Sequence, residues 1–149
     1  MNEITFTLQE NELGILLEKI SNIIQDLIKI EASPCILLSG DLGTGKTTFV
    51  REWLHYVGSK DLANSPTFAL HNIYEWQKNS IHHFDLYRIK DKYELEHIGF
   101  EEIWGKEGIS FIEWWSIADH IIPQSNRIYI SIDHLNPDKR KYVIRYNNL

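Results

Sequence analysis

An α/β layer protein with antiparallel strands added is the fold this sequence predicts, and three observations carry it. A helix-period apolar stripe covers residues 13–28, a short buried run follows at residues 35–39, and two period-2 stretches close the chain. Strands alternating with helices imply parallel pairing through crossovers, whereas strands joined by short polar turns imply antiparallel pairs. At 149 residues, with no internal repeat, low-complexity tract or long linker, the chain reads as one domain spanning residues 1–149.

The elements follow in order. Thr7-Leu8-Gln9-Glu10 has the Thr-x-x-Glu spacing of a capping box and predicts a helix N-terminus there. Leu13, Leu16, Leu17, Ile20, Ile23, Ile24, Leu27 and Ile28 then recur at spacings of three and four, the mark of an amphipathic helix, which Ser33-Pro34 ends. Residues 35–39 are too few for a helix and lie between Pro34 and Gly40, so they form a fully buried strand. Within it Cys35, the one cysteine, is expected to be an inert buried thiol. A second helix should start near Lys46 and run towards Val57, with Gly58 just past its end.

Ser65-Pro66-Thr67 is a loop, and residues 68–76 and 81–86 make a hairpin joined by Gln77-Lys78-Asn79-Ser80. Residues 92–98 and 100–104 form two short helices on either side of Gly99. Residues 109–112 are a further short apolar run closing on Glu113. Residues 127–133 and 141–146 are alternating strands around the turn at Asn136-Pro137-Asp138.

Composition removes several classes of function. A chain with 43% hydrophobic and 12% aromatic residues buries a real core, which excludes wholesale disorder. Fifteen basic against 21 acidic residues leave a formal charge of −6, the wrong sign for a free-standing nucleic-acid binder. No apolar stretch approaches the ~20 residues that span a bilayer, and Met1-Asn2-Glu3-Ile4-Thr5 is no secretory signal, so a soluble cytoplasmic protein is expected. His82 and His83 occupy adjacent strand positions that face opposite sides, which argues against a shared metal ion.

Chemistry concentrates in Gly40-Asp41-Leu42-Gly43-Thr44-Gly45-Lys46-Thr47, which satisfies G-x-x-x-x-G-K-[ST] between a strand and a helix. At ~7% glycine, those four positions arise by chance in about one chain of this length in a few hundred. The glycines let the backbone turn sharply and bring its N–H groups to phosphate oxygens, while the following helix aims its positive end at the same anion. Leu42, Gly43, Thr44, Gly45, Lys46, Thr47 and Thr48 are therefore the candidate nucleotide-binding residues, with Lys46 reaching the β- and γ-phosphates. The Thr47 hydroxyl suits Mg²⁺, a hard cation that prefers oxygen. Thr48 is a candidate for an α-phosphate contact.

Such a loop needs a carboxylate from a neighbouring strand to complete the metal shell and order the attacking water. Two segments offer one. Ile109-Ser110-Phe111-Ile112-Glu113 is an apolar strand ending in an acid, and Ile81-His82-His83-Phe84-Asp85 ends the same way with weaker apolar character. From the residues alone either acid serves.

The loop, Ser65-Pro66-Thr67-Phe68, His83-Phe84-Asp85-Leu86-Tyr87-Arg88 and Ile112-Glu113-Trp114 stand in the order and approximate spacing of the TsaE family, which the chain resembles over nearly its whole length. The resemblance implies a three-layer P-loop NTPase fold around a mixed central β-sheet. It further implies an ATPase, weak alone, that uses ATP and Mg²⁺ and acts with TsaB and TsaD in forming threonylcarbamoyladenosine beside the tRNA anticodon. TsaD would transfer the group, ATP turnover here would reset the complex, and tRNA would be met only through the partners. By the family pattern Thr47 and Glu113 hold the metal, Asp85 is essential for hydrolysis, Trp114 is a further functional position, and residues 65–67 resemble a switch near the γ-phosphate. In the ATPase reading Lys46 with Mg²⁺ stabilises the charge developing on the phosphoryl group, Asp85 positions or deprotonates water and Glu113 completes the metal shell. In the family an acid often follows closely after the Glu-Trp pair; here Trp115-Ser116-Ile117 come first, before Ala118-Asp119, so no role is carried over to a second acid.

A competing class is a nucleotide-dependent docking module without essential hydrolysis. A small-molecule kinase fits poorly, because Arg51, Arg88, Arg127, Arg140 and Arg145 are dispersed and form no lid. A GTPase lacks an Asn-Lys-x-Asp motif. The N-terminal segment and the turn at residues 137–140 are the candidates for adenine contact.

Overall fold

The computed structural model describes residues 1–59 and 70–148. Among the described residues seven strands form one sheet in the order β1-β7-β6-β2-β5-β4-β3. They are β1 (Asn2–Gln9), β2 (Cys35–Ser39), β3 (His71–Trp76), β4 (Asn79–Asp85), β5 (Ile109–Glu113), β6 (Arg127–His134) and β7 (Lys139–Tyr146), with helices α1 (Gly14–Lys29), α2 (Lys46–Tyr56) and α3 (Lys92–Ile98). β2 runs parallel to β5 and β6, and β4 parallel to β5, while β1–β7, β6–β7 and β3–β4 are antiparallel. The sheet is therefore mixed, parallel at its centre and antiparallel at both edges, as the strand–helix alternation predicts.

Side-chain alternation along the central strands divides the core in two. Ile36 and Leu38 of β2 face a cluster with α1 and α2 that includes Leu16, Ile20, Ile24, Phe49 and Trp53. Cys35 and Leu37 face the opposite cluster, with Leu95 of α3, Phe100, Trp104 and Ile112. Helical layers on both faces explain why β2 and β5 are buried along almost their whole length. In the first layer Trp53 is fully buried, packs edge-on to Trp76 and donates its indole N–H to Ser21 Oγ at 3.1 Å. The Cys35 thiol is buried and pushed up to about 11 by burial, so it is the unreactive thiol expected.

The N-terminal reading is corrected. Thr7 is a residue of β1, opposite Lys141, and caps no helix. Ile4, Phe6 and Leu8 alternate with exposed residues, a period-2 pattern that pairing with β7 makes into a strand. A 3₁₀ turn (Glu10–Glu12) intervenes before α1, and there the Gln9 N–H donates to Glu12 Oε1 at 2.8 Å. Three other boundaries shift. The β3–β4 turn has two residues, Gln77 and Lys78, because Trp76 already pairs with Asn79. The helix expected over residues 100–104 is a single 3₁₀ turn (Phe100–Glu102). β7 starts at Lys139, two residues early, because pairing with β1 and β6 extends it. Residues 68 and 69 of the predicted hairpin lie outside the described residues.

On the α3 side, His71 Nε2 and His82 Nδ1 share a 2.9 Å hydrogen bond, and His82 Nε2 lies 3.4 Å from Glu107 Oε1. His71 stacks on Phe84 at 4.2 Å, and burial first, then His82 and His83, lower its pKa to about 4. An unfolded histidine takes up its proton near 6.5, so between 6.5 and about 4 the unfolded chain binds the extra proton. This contribution to stability is full above 6.5 and is lost as pH falls towards 4. The melting midpoint is expected to drop between about pH 7.5 and about pH 5, and to drop less steeply in His71→Phe. Parallel slopes for the two proteins would remove His71 from the effect.

Candidate functional site

Residues 40–45 connect the end of β2 to the start of α2, so the glycine-rich motif stands at the carboxyl end of the central parallel strands, where open α/β sheets hold ligands. Gly40 has φ +151°, and a Cβ there would meet Thr44 Oγ1 at 2.5 Å and the Ile132 carbonyl at 2.6 Å. Only glycine fits that approach. Gly45, at φ +106°, precedes the first helical residue and lies against the Arg140 guanidinium.

Lys46 is buried, 5% exposed, and its ammonium donates back to the Gly40 carbonyl and to the Asp41 carbonyl at 3.1 Å. The Trp114 ring lies 4.3 Å from Nζ, a cation–π contact. Burial lowers the Lys46 pKa, and the charges of Glu113, Asp85 and Asp41 oppose that shift. Trp114 follows β5 at φ +56°, a left-handed conformation unusual for a bulky residue, of the kind that clusters at functional sites.

The Thr47 hydroxyl donates to Glu113, with Oε2 at 2.9 Å and Oε1 at 3.2 Å, and Glu113 is 3% exposed. Register explains the meeting: Leu38 pairs with Glu113 and Glu113 with Asp85, so the two acids stand side by side at the ends of β5 and β4. Asp85 Oδ1 accepts the Tyr87 N–H at 3.0 Å. Burial is the first cause raising the Asp85 pKa, and the nearby Glu113 charge adds to it. A cleft of about 290 Å³ is lined by Leu42, Gly43, Gly45, Lys46, Thr47, Thr48, Asp85, Tyr87, Glu113, Trp114 and Arg140.

Of the predicted site residues the cleft thus gathers all but Thr44, whose hydroxyl instead closes the loop on the Asp41 carbonyl at 2.9 Å. Both carboxylates belong to it, with different surroundings: Glu113 bonds to Thr47, whereas Asp85 bonds to backbone at the start of the next segment. A hydroxyl and a carboxylate facing one point are hard oxygen donors, and Mg²⁺ takes one or two such protein ligands and keeps its other positions for water and phosphate. The donor set fits that ion. Among the described residues no group of three or more His, Cys, Asp or Glu could hold a metal ion.

In the sequence His83 figures as a disfavoured metal ligand and as the first residue of the block running to Arg88, with no role of its own at the site. In the structure its Nε2 lies 2.5 Å from Glu113 Oε2. The signal was present: His83 and Asp85 are two apart on one strand and share a face. Of the adenine candidates, Arg140 lines the cleft, and β1 pairs Leu8 with Arg140 and Gln9 with Lys139, so the two candidate segments adjoin. The switch-like reading of residues 65–67 lies outside the described residues.

A strand, a glycine-rich loop and a helix at the centre of a mixed sheet, with helices on both faces, define a P-loop NTPase fold. Comparison specifies which kind. The model of the family described as threonylcarbamoyl adenosine biosynthesis protein TsaE matches residues 16–142, and the chain belongs to that family. The tRNA threonylcarbamoyladenosine biosynthesis protein TsaE of Haemophilus influenzae is 35% identical over 125 residues, 83% of this chain and 78% of the relative. The protein of the same name from Aquifex aeolicus is 41% identical over 128 residues, 85% of this chain and 86% of the relative. The crystal structure of YdiB from Bacillus subtilis matches with a TM-score of 0.72 at 22% identity, over 96% of this chain and 84% of that one, a likeness of fold. The family expected from the motifs is the family found. Among the described residues no helix is long and apolar enough to cross a membrane.

Proposed function

We propose that the chain is a Mg²⁺-dependent ATPase of the cytoplasm that works with TsaB and TsaD in forming threonylcarbamoyladenosine beside the tRNA anticodon, its ATP turnover resetting the complex. The observation that carries this reading is the hydrogen bond of the half-buried Thr47 to the buried Glu113, beside Lys46 in one cleft, a hydroxyl, a carboxylate and an ammonium placed for a triphosphate. The loop N–H groups and the α2 N-terminus hold phosphate oxygens, and Lys46 exchanges its carbonyl partners for the β- and γ-phosphates. Thr47 and Glu113 hold the magnesium ion, which when bound supplies positive charge against the phosphate oxygens. Asp85, its proton affinity raised by burial, orients the attacking water and accepts its proton. The acidic net charge suits a chain that leaves the RNA contacts to its partners.

The test is phosphate release from the protein together with its partners. Asp85→Asn is expected to lower the rate by about 10²-fold while Mg·ATP affinity changes by no more than about three-fold. Affinity falling as far as the rate would assign Asp85 to binding. A non-hydrolysable analogue that sustained repeated rounds of tRNA modification would replace the ATPase reading with nucleotide-dependent docking.

A further inference from the structure

We propose that His83 is a positioning residue that fixes the Glu113 carboxylate towards Thr47 and away from Lys46. The inference rests on the Mg·ATP reading and names a further residue that the site requires. His83 is fully buried, and its Nε2 lies 2.5 Å from Glu113 Oε2, the oxygen that also accepts the Thr47 hydroxyl at 2.9 Å. In register His83 pairs with Phe111, so its ring reaches diagonally along the strand face to the carboxylate two residues further on.

The surroundings make a packing role insufficient. Ile81 and Phe111, which share that face of the sheet, belong to the apolar core against α1 and α2. His83 Nδ1 is buried with no hydrogen-bond partner, so the bond to Glu113 is what compensates the ring for lost water. An apolar side chain would fill the same place without that cost. The carboxylate also has a competing attraction, since the Glu113 charge acts on the Lys46 ammonium. Held by His83, Glu113 keeps both its oxygens near Thr47 and leaves Lys46 free to turn to phosphate. Partners of a ligating carboxylate typically matter by about 10–100-fold in metal affinity.

Calorimetry measures ATP affinity with magnesium and in EDTA for wild type, His83→Leu and His83→Gln. In His83→Leu the ratio of the two affinities is expected to fall by about 10–100-fold, and in His83→Gln, whose amide N–H can reach the carboxylate, most of the ratio is expected to return. A wild-type ratio in His83→Leu overturns the proposal. So does an equal loss with and without magnesium that glutamine does not rescue, which is the signature of a structural role. Absence of ATP binding by wild type in both conditions overturns the Mg·ATP reading itself, and with it this inference.

Discussion

Lys46→Ala is expected to weaken ATP binding by about 100-fold and to abolish measurable phosphate release. Lys46 is 5% exposed, and the neighbours of its ammonium are two loop carbonyls, the Trp114 ring and the charges of three carboxylates. Hydrogen bonds to a charged group contribute about 1.5–3 kcal/mol each, so losing one or two of them on the β- and γ-phosphates corresponds to about 10- to 100-fold or more in affinity. Hydrolysis suffers further, because charge grows on the phosphoryl oxygens as the bond breaks and this cation meets it. Lys46→Arg is expected not to restore the rate: a rigid planar fork cannot enter the space between the Gly40 carbonyl and the indole ring that a compact ammonium occupies. Calorimetry with Mg·ATP, beside a melting curve to establish folding, makes the measurement. Affinity within about three-fold of wild type would refute the placement of Lys46 on the triphosphate.

Glu113→Gln is expected to lower phosphate release by about 10²- to 10³-fold with little change in thermal stability. Glutamine keeps the volume, and its amide oxygen still accepts from Thr47 and His83, so the substitution removes charge and leaves shape. The buried position makes the charge matter: at 3% exposure less water screens it than at the surface, and a metal ion held by Thr47 and Glu113 would feel it more strongly than in bulk water. The loss is expected to be partly recovered at high magnesium, which separates it from the Lys46 variant, where added metal has no such effect. Rates equal to wild type would remove Glu113 from the mechanism and leave Asp85 as the remaining acid of the pair.

The two predictions differ in how far the sequence alone could reach them. Lys46 was legible because its role belongs to a contiguous motif, whose strand and helix lie within a few residues on either side. Glu113 and Asp85 were legible from their own runs only as alternatives, and it was the family resemblance that gave the metal to Glu113 and hydrolysis to Asp85. Each ends an apolar run, and nothing in either run says which one the Thr47 hydroxyl meets. The missed strand β1 has the same character: its alternation was in plain view, but Thr-x-x-Glu spacing competed for the same residues, and the partner that decides the matter, β7, lies at the other end of the chain. The tight β3–β4 turn and the early start of β7 were likewise settled by pairing.

What the amino-acid order determined by itself was local: the α1 stripe, the buried strand, the turn chemistry of the glycine-rich loop and the helix that follows it. These rest on backbone geometry and periodicity, which neighbouring residues dictate. Tertiary structure decided the division of labour at the site, because it depends on parallel register between β2, β5 and β4. That register sets Glu113 beside Thr47, Asp85 one strand further out, and His83 beneath the carboxylate, joining groups from strands whose sequence separation carries no information about distance in space.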